Sequence, residues 1–515
     1  MKANGAGMNA GGGVKRALAA AVGLLSLPLL AAAPYPWRGY MLDTSRHFFT
    51  VGEIVKTLDT MAAFKLNVFH WHLVDREGWR MPVRAFPKLT GRGAWRRINP
   101  SESALSSCWR DAKGAHGVYG PYFYTREQIG EVLAHAKRLG IRVVPEIEIP
   151  GHETAAIGAY PELGCAGLGN NGEFCLGDDA VIRMLERILD EVLEVFPDEV
   201  VHIGGDECAR SNWRKCPKCQ ARIRALGLKD EKALQGWATR HFAEYLSARG
   251  RRAMGWQEIV DYDLPSNVII QSYAGTGAGV RAAKRGLDAV MAPGHFCYLD
   301  YDQGLANDPC EYVPFTGAVP AVRCARFDPA AGVPPEARRH ILGGEGCCWT
   351  ESAPTLDVVE WRSWPRMAAL AHALNEGPAA DESAAKAVLA DAVARLRGMK
   401  VNCAPYEPLA PDPPVLSPKP RKCVFRNGYY KLMTNELSFA TFNLSGRDSR
   451  TSLTAKRDPS MPAGSYRMKL QWHGSCVTAA DDEGLRKALA VLRQLAMPKE
   501  VGLIEFRSCE IEDGL

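Results

Sequence analysis

Two acids stand side by side at the end of an apolar run. In V-V-H-I-G-G-D-E-C-A-R, residues 200–210, Asp206 and Glu207 follow two glycines. Adjacent like charges repel, and burial increases the penalty, so stability alone does not account for them. Neighbouring residues of an extended segment point to opposite sides. The two acids are therefore expected to divide the labour, one carboxyl reaching a scissile bond and the other holding a group beside it, unless the strand end twists. The glycines let a substrate or a neighbouring chain approach the backbone closely. The competing explanation is a pair of acids at a helix start, where the N-terminal dipole favours them.

The elements that must position these acids alternate along the chain. G-Y-M-L-D, N-V-F-H-W-H-L, R-V-V-P-E-I-E, E-V-V-H-I-G-G, R-A-M-G-W, N-V-I-I-Q-S-Y, D-A-V-M-A-P and H-I-L-G-G-E-G-C-C-W read as strands. Amphipathic stretches such as E-I-V-K-T-L-D-T-M-A-A-F, R-E-Q-I-G-E-V-L-A-H-A-K-R-L and A-V-I-R-M-L-E-R-I-L-D-E-V-L-E read as helices between them. Near-continuous apolar strands followed by helices mean a parallel sheet covered by helices. Eight such units predict an α/β fold of the (β/α)8 TIM-barrel type over residues 34–400, with a doubly wound open sheet as the alternative. The polar residues favour the barrel. Asp43, His72, Asp75, Glu146, Glu148, Asp206, Glu207, Trp256, Tyr273, Trp349 and Glu351 all fall at strand ends, which a barrel gathers at one mouth.

Aromatic residues join them there: Trp71, Trp79, Trp256, Tyr273, Tyr298 and Trp349. Such a set suits stacking on a sugar ring or packing around a small apolar group. Arg46, Asp75, His152, Asp300 and Glu351 are the candidates to satisfy hydroxyls between them, and His152 sits in a loop context, P-G-H. A formal charge of +5 over 515 residues, with no Lys/Arg block, does not suggest a nucleic-acid partner.

The stretches R-G-Y-M-L-D-T-S-R-H-F-F, N-V-F-H-W-H-L-V-D-R-E-G-W-R, P-E-I-E-I-P-G-H, V-H-I-G-G-D-E, M-G-W-Q-E-I, Y-L-D and G-G-E-G-C-C-W-T-E occur in the order seen in family 20 glycoside hydrolases. These are the exo-acting β-N-acetylhexosaminidases, and the chain resembles them over about residues 37 to 375. The resemblance implies that Glu207 is the general acid and base and that Asp206 orients the substrate's 2-acetamido group, which itself attacks the anomeric carbon. This substrate-assisted route departs from the two-carboxylate rule. The resemblance further implies that Tyr298 bonds the acetamido oxygen and that Trp256, Tyr273 and Trp349 wall its methyl. Arg46, Asp300 and Glu351 would bind sugar hydroxyls, and Asp75 and His152 would form a polar relay beside Glu207. Burial and the Asp206 charge are expected to raise the pKa of Glu207. The implied partner is a glycan ending in GlcNAc or GalNAc, with no metal or organic cofactor. A non-catalytic glycan-binding barrel, or a relative releasing a disaccharide or a sulfated sugar, is the alternative. Residues 85–124 are expected to shape the leaving-group side.

The chain departs from the family pattern in places. Glu148 stands where the family usually has Asp, which would shift a relay through His152, and V-D-R-E-G-W replaces D-D-Q-G-W. Tyr273 replaces a usual Trp, which would widen the acetamido pocket or add a hydroxyl to it. The small α/β domain that usually precedes the barrel is missing there. Residues 421–515 resemble it instead, as an α+β accessory domain after a proline-rich linker at 401–420. A circular permutation follows as an expectation, with the C-terminus lying near Pro34 to Gly39.

Lys15 and Arg16, the apolar run A-L-A-A-A-V-G-L-L-S-L-P-L-L and A-A-A at 31–33 have the pattern of an export signal over residues 1–33. The run is too short for a comfortable membrane span; a retained anchor is the competing explanation. The expected protein is periplasmic or secreted, without stable membrane insertion. Export permits disulfides among the fifteen cysteines, and Cys165–Cys175 is the expected bridge. Cys216-Pro-Lys-Cys219 has the form of half a zinc knuckle, but without a second such pair it is expected to hold a disulfide or free thiols.

Overall fold

The computed structural model describes residues 35–97, 118–301, 303, 318–351, 353–406, 422–433, 453–470, 475–495, 497–500 and 503–513. Eight strands form its centre: β1 (Trp37–Asp43), β2 (Val68–His72), β3 (Arg142–Glu146), β4 (Val200–His202), β5 (Arg252–Trp256), β6 (Ile269–Ser272), β7 (Asp288–Met291) and β8 (Ile341–Cys348). They close in the order β1–β8–β7–β6–β5–β4–β3–β2, every pair parallel. This is the predicted (β/α)8 barrel; an open sheet is excluded because both edges are joined.

The alternation of side chains along a strand explains how the barrel is filled. At the N-terminal end the inward residues are apolar, roughly one per strand: Trp37, Val68, Val144, Val200, Met254, Ile269 and Val290, with Leu342 against them. Two residues further along, the same faces carry His70, Glu146, His202, Trp256 and Gln271, and β8 adds Glu345; all are buried. An apolar plug therefore seals one end, and a polar layer lies above it. Gly39, two residues after Trp37, makes room for this layer: a Cβ there would lie 2.3 Å from Glu345 Oε2.

The outward residues, among them Phe69, Trp71, Val143, Val201 and Ile270, join one large core with helix residues such as Leu58, Ile129, Leu185, Leu189 and Phe242. Helices α1 (Val51–Ala63), α2 (Arg126–Arg138) and α3 (Asp179–Val195) match the amphipathic stretches. The first two start at capping boxes, Thr50 with Glu53 and Thr125 with Gln128, which satisfy the free N–H groups of the first turn.

Two strands end earlier than the sequence pattern predicts. β3 stops at Glu146 and β4 at His202. Gly204 and Gly205, at φ +61° and +100°, cannot continue a strand. Beyond the barrel, Lys422–Met433, Leu453–Arg457, Tyr466–Leu470, Ser475–Ala479, Met497–Glu500 and Leu503–Asp513 form a six-stranded sheet that is mostly antiparallel. With helix Asp482–Leu495 it is the predicted small α+β unit. Leu453–Arg457, Ser475–Ala479 and Met497–Glu500 had no clear strand pattern in the sequence. The predicted export signal, Pro34, most of the linker and the C-terminal Leu515 lie outside the described residues. Among the described residues no helix is long and apolar enough to cross a membrane.

Barrel closure between β1 and β8 relies on Gly343. Its φ is +144°, and a Cβ there would lie 1.9 Å from the Trp37 carbonyl oxygen. Gly343→Ala is expected to lower stability by roughly 2–4 kcal/mol. Gly130→Ala, in α2 where an added Cβ meets nothing within 4 Å, is expected to raise it by about 0.5–1 kcal/mol. Thermal melts check this; equal melting temperatures for the two variants would contradict the close approach of β1 and β8.

Candidate active site

The eleven predicted site residues converge at the C-terminal ends of the barrel strands. Asp206 and Glu207 follow β4, but not as two sides of a strand. The left-handed Gly204 and Gly205 and the positive φ of Glu207, +42°, twist the segment. Both carboxylates consequently reach one imidazole: His152 Nε2 lies 3.3 Å from Asp206 Oδ2 and 3.5 Å from Glu207 Oε2. The strand end thus twists, the condition under which the opposite orientation is not expected to hold. The next helix spans Ser211–Lys215 with Arg210 at its N-cap, so the acids are not a helix-capping pair.

His152 is itself fixed from behind. Its Nδ1 lies 2.9 Å from Asp75 Oδ1. Asp75 Oδ2 accepts from Arg46 Nη2 at 2.8 Å and lies 2.9 Å from His72 Nε2. His72 Nδ1 bonds Glu146, the acid of the buried polar layer. Glu146 also accepts from Trp256 Nε1 at 2.7 Å, and His202 Nδ1 and His70 Nε2 lie 2.7 and 3.0 Å from it. His70 Nδ1 then meets Glu345 at 2.7 Å, which also accepts from Trp37 and Gln271 at 2.8 Å. A line of alternating carboxylates and imidazoles thus runs from the barrel interior to Asp206 and Glu207.

Arg46 anchors the other side of the mouth. It pairs with Asp75, with Glu77 at 2.9 Å, with Asp43 at 3.4 Å and with Glu351 at 3.7 Å, and its guanidinium lies 5.2 Å from the Trp349 ring centre. The aromatic residues form a continuous wall. Trp256 is 5.7 Å from both Tyr273 and Trp349, and Tyr298 is 6.1 Å from Tyr273 and 6.2 Å from Trp349. Asp300 follows Tyr298 by two residues and is coupled by charge to Glu351. The 85–124 loop is described at both ends only, and residues 98–117 lie outside the described residues. Its Arg96 donates to the Arg46 carbonyl at 3.2 Å and lies 4.4 Å from the Tyr119 ring centre.

The charges follow from these partners. Burial opposes protonation of His152, but Asp75 and Asp206 overcome it and push its pKa up to about 10. Burial likewise opposes the charge on Asp75, and Arg46 and His152 overcome it, holding the carboxyl well down. Asp206 is pushed up, by burial first, against the pull of His152. Glu207 goes the other way: its contact with the charged His152 lowers it against a smaller effect of burial. This corrects the expectation of a raised Glu207, whose side chain is 64% exposed. Burial, then the charge of Glu351, raises Asp300 to about 7.

Glu148 does not take part in the relay. Among the described residues neither of its oxygens has a hydrogen-bond partner, and His152 is held by Asp75 instead. The longer side chain packs over Gly204, where a Cβ would lie 1.8 Å from Glu148 Oε2. The hydroxyl that Tyr273 adds is donated to Glu258 Oε1 at 2.5 Å. Cys165 and Cys175 are not joined by the expected disulfide. Sequence reasoning missed the supporting tier of His70, His202, Glu345, Glu77 and Glu258. The histidines had a signal in H-W-H, where positions two apart share one strand face, and in V-H-I-G-G.

Residues 35–376 match the family model "Glycosyl hydrolase family 20, catalytic domain". The chain belongs to glycosyl hydrolase family 20. A β-hexosaminidase of Porphyromonas gingivalis is 35% identical over 350 residues, 65% of this chain and 42% of the relative. One from Vibrio furnissii is 35% identical over 353 residues, 66% of this chain and 56% of the relative. The chain thus spans about half the length of these curated relatives. Among solved structures, the family 20 exo-β-N-acetylglucosaminidase of Vibrio harveyi, in complex with N-acetylglucosamine, matches with a TM-score of 0.64 at 30% identity, over 72% of this chain and 60% of that one. A β-N-acetylhexosaminidase of Bacteroides fragilis matches with a TM-score of 0.62 at 30% identity, over 72% and 73%.

Within this family 20 site Glu148 makes a test of the electrostatics. Burial, then the charges of Asp206 and Glu146, raise its pKa well above the usual value, so the fold holds it neutral. The unfolded chain ionises it above about pH 4 to 5. Stability therefore falls as pH rises past that range, because the folded form binds the extra proton. Glu148→Gln removes the titration. The variant is expected to be more stable than the parent at neutral pH, with the advantage fading as pH falls through the carboxylate range. Urea melts across pH check this; an advantage independent of pH would contradict a neutral Glu148.

Proposed function

We propose that the chain is an exo-acting β-N-acetylhexosaminidase that removes terminal non-reducing GlcNAc or GalNAc by substrate-assisted, retaining catalysis. The observation that carries this reading is the convergence of Asp206 and Glu207 on the single imidazole of His152, beside a wall of Trp256, Tyr273, Tyr298 and Trp349. Both acids approach the same nitrogen of His152, and one oxygen of each lies within 4.8 Å of the other; the more buried Asp206 and the exposed Glu207 suit one task each. Asp206 steadies the acetamido N–H, so that its oxygen attacks the anomeric carbon. Glu207 gives a proton to the leaving oxygen and then takes one from water. Tyr298 holds the acetamido oxygen, while Arg46, Glu351 and Asp300 take the sugar hydroxyls.

The lowered pKa of Glu207 belongs to the open site. His152 holds the proton there, 3.5 Å from an acid that is largely exposed. A sugar covering Glu207 removes water from its carboxylate, which raises the cost of its charge and draws the proton towards it. His152, tied to Asp75, is the reservoir. The basic and apolar leader at residues 15–33 supports export, and the likeness of residues 421–515 to the domain that usually precedes the barrel supports circular permutation.

Release of nitrophenol from nitrophenyl N-acetyl-β-glucosaminide is expected, with Glu207→Gln lowering kcat by about 10²–10⁴-fold. The matching glucoside, which lacks the acetamido group, is expected to be inert. Equal rates on the two glycosides would overturn the substrate-assisted reading. The pH profile supplies a second check. Asp206 must be ionised to accept the acetamido N–H, so its protonation sets the acidic limb of kcat/KM. His152→Ala removes the cation 3.3 Å away. The carboxyl then becomes harder to ionise, and the limb is expected to move to higher pH by about one unit or more. An unmoved limb would show that His152 carries no charge toward Asp206.

A further inference from the structure

Four groups of potential metal ligands lie close together among the described residues. Three are imidazole–carboxylate clusters that belong to the polar layer and mouth already described. The fourth is different in kind: Cys165, Cys175, Cys216 and Cys219, all buried, with their four Sγ atoms within 4.8 Å of one another. Cys165–Cys219, Cys175–Cys216 and Cys175–Cys219 each stand 3.8 Å apart, sulfur to sulfur. A disulfide requires about 2.05 Å. Four thiolates around a tetrahedral zinc, at about 2.3 Å each, stand about 3.8 Å apart.

From this geometry we infer that the four cysteines form a structural zinc site. The surroundings fit a doubly negative tetrathiolate. Cys216 caps helix Pro217–Ala225, whose N-terminal end favours negative charge. Lys218 and Arg222 on that helix pair with Asp178 and Asp179 just beyond Cys175. Gly177 lies two residues beyond Cys175. It allows the approach: a Cβ there would lie 2.2 Å from the Cys219 nitrogen. Each thiol gives its proton to solvent as it binds, and the ion undergoes no redox change.

The site joins two segments that matter to the acids. Cys165 and Cys175 lie on the excursion that begins at His152, and Cys216 and Cys219 close the segment that begins at Asp206 and Glu207. Trp213 Nε1 donating to the Phe174 carbonyl at 2.7 Å and the Asn212 amide donating to Glu173 at 2.8 Å run beside the same seam. Zinc there pins the loop after β3 to the loop after β4, a role apart from the hydrolytic chemistry and independent of it for testing.

The test is metal and thiol analysis of the full chain, expressed with zinc and purified without a metal-affinity step. About one zinc per chain is expected, with Cys165, Cys175, Cys216 and Cys219 shielded from alkylation until a mercurial releases the metal. Stripping the metal with a chelator is expected to lower the melting temperature. Cobalt in place of zinc should give the ligand-field bands of a tetrahedral thiolate site. Cys216→Ser should lose the metal while Cys403→Ser keeps it; the parent protein's zinc content decides the matter should Cys216→Ser not fold. Zinc well below one per chain, with these cysteines in disulfides by mass spectrometry or freely alkylated in the native protein, would overturn the site. Iron in place of zinc would overturn the assignment of the ion.

Discussion

A carboxylate buried in a barrel core is expensive unless each of its oxygens meets a donor. Glu146 satisfies that condition completely. Oε1 accepts from Trp256 and meets His202, and Oε2 meets His70 and His72. Burial works against its ionised form, but the three imidazoles hold its pKa well below the usual range. The same condition, repeated outward, builds the site. His72 bonded to Glu146 requires an acid on its other nitrogen, which is Asp75. Asp75 then requires cations, which are Arg46 and His152. His152, once charged, turns its second nitrogen to Asp206 and Glu207. Charge balance along this line fixes where Asp206 and Glu207 stand, and it does so from inside the barrel rather than from the loops.

The line reaches its last members through an unusual backbone. His152 and Glu207 both have positive φ, +56° and +42°, a region that costs a residue with a side chain on the order of 1 kcal/mol or more. Each lies beside a glycine-bearing turn that packs against the other. Gly151 comes so near the Asp206 carbonyl and Cys208 that an added Cβ would lie 3.2 and 3.3 Å from them. Strained φ values persist where surrounding contacts over-determine them. Here the contacts are those between the loop after β3 and the loop after β4. The convergence of the two acids is thus a property of the pair of loops, and a regular strand end at 204–207 would have sent them apart.

Much of this was legible in the sequence, and what was hidden has a common cause. Strand positions follow from apolar runs, because a barrel strand buries both faces. The eleven residues of the mouth follow from their place at strand ends and from the resemblance to family 20. What could not be read is partner choice. Glu148 and Asp75 are both acids near His152 in pattern, yet only Asp75 bonds it, because the turn at Gly204 takes up the space beside Glu148. The lowered pKa of Glu207 was hidden for the same reason: it depends on a single imidazole contact and on exposure, neither of which is a sequence property. The four cysteines show the complement of this. C-P-K-C was visible as half of a site, but its other half, Cys165 and Cys175, lies about forty residues upstream with a ten-residue spacing that suggests a bridge when read alone.

Tyr273 draws these threads together. A tyrosine where the family usually has tryptophan would alter the pocket proposed for the acetamido group if its hydroxyl faced inward. Instead the hydroxyl is bound by Glu258, and the ring lies at 15° to that of Tyr298 and edge-on to Trp256. The inward surface is therefore still aromatic carbon. Trp256 is held in the same manner, its one polar atom given to Glu146. In both residues a carboxylate outside the pocket takes the polar hydrogen and leaves an apolar ring for the ligand. An apolar wall built from amphipathic side chains works only if each has such a partner, and so the smaller aromatic is tolerated at 273: Glu258 does for it what Glu146 does for Trp256.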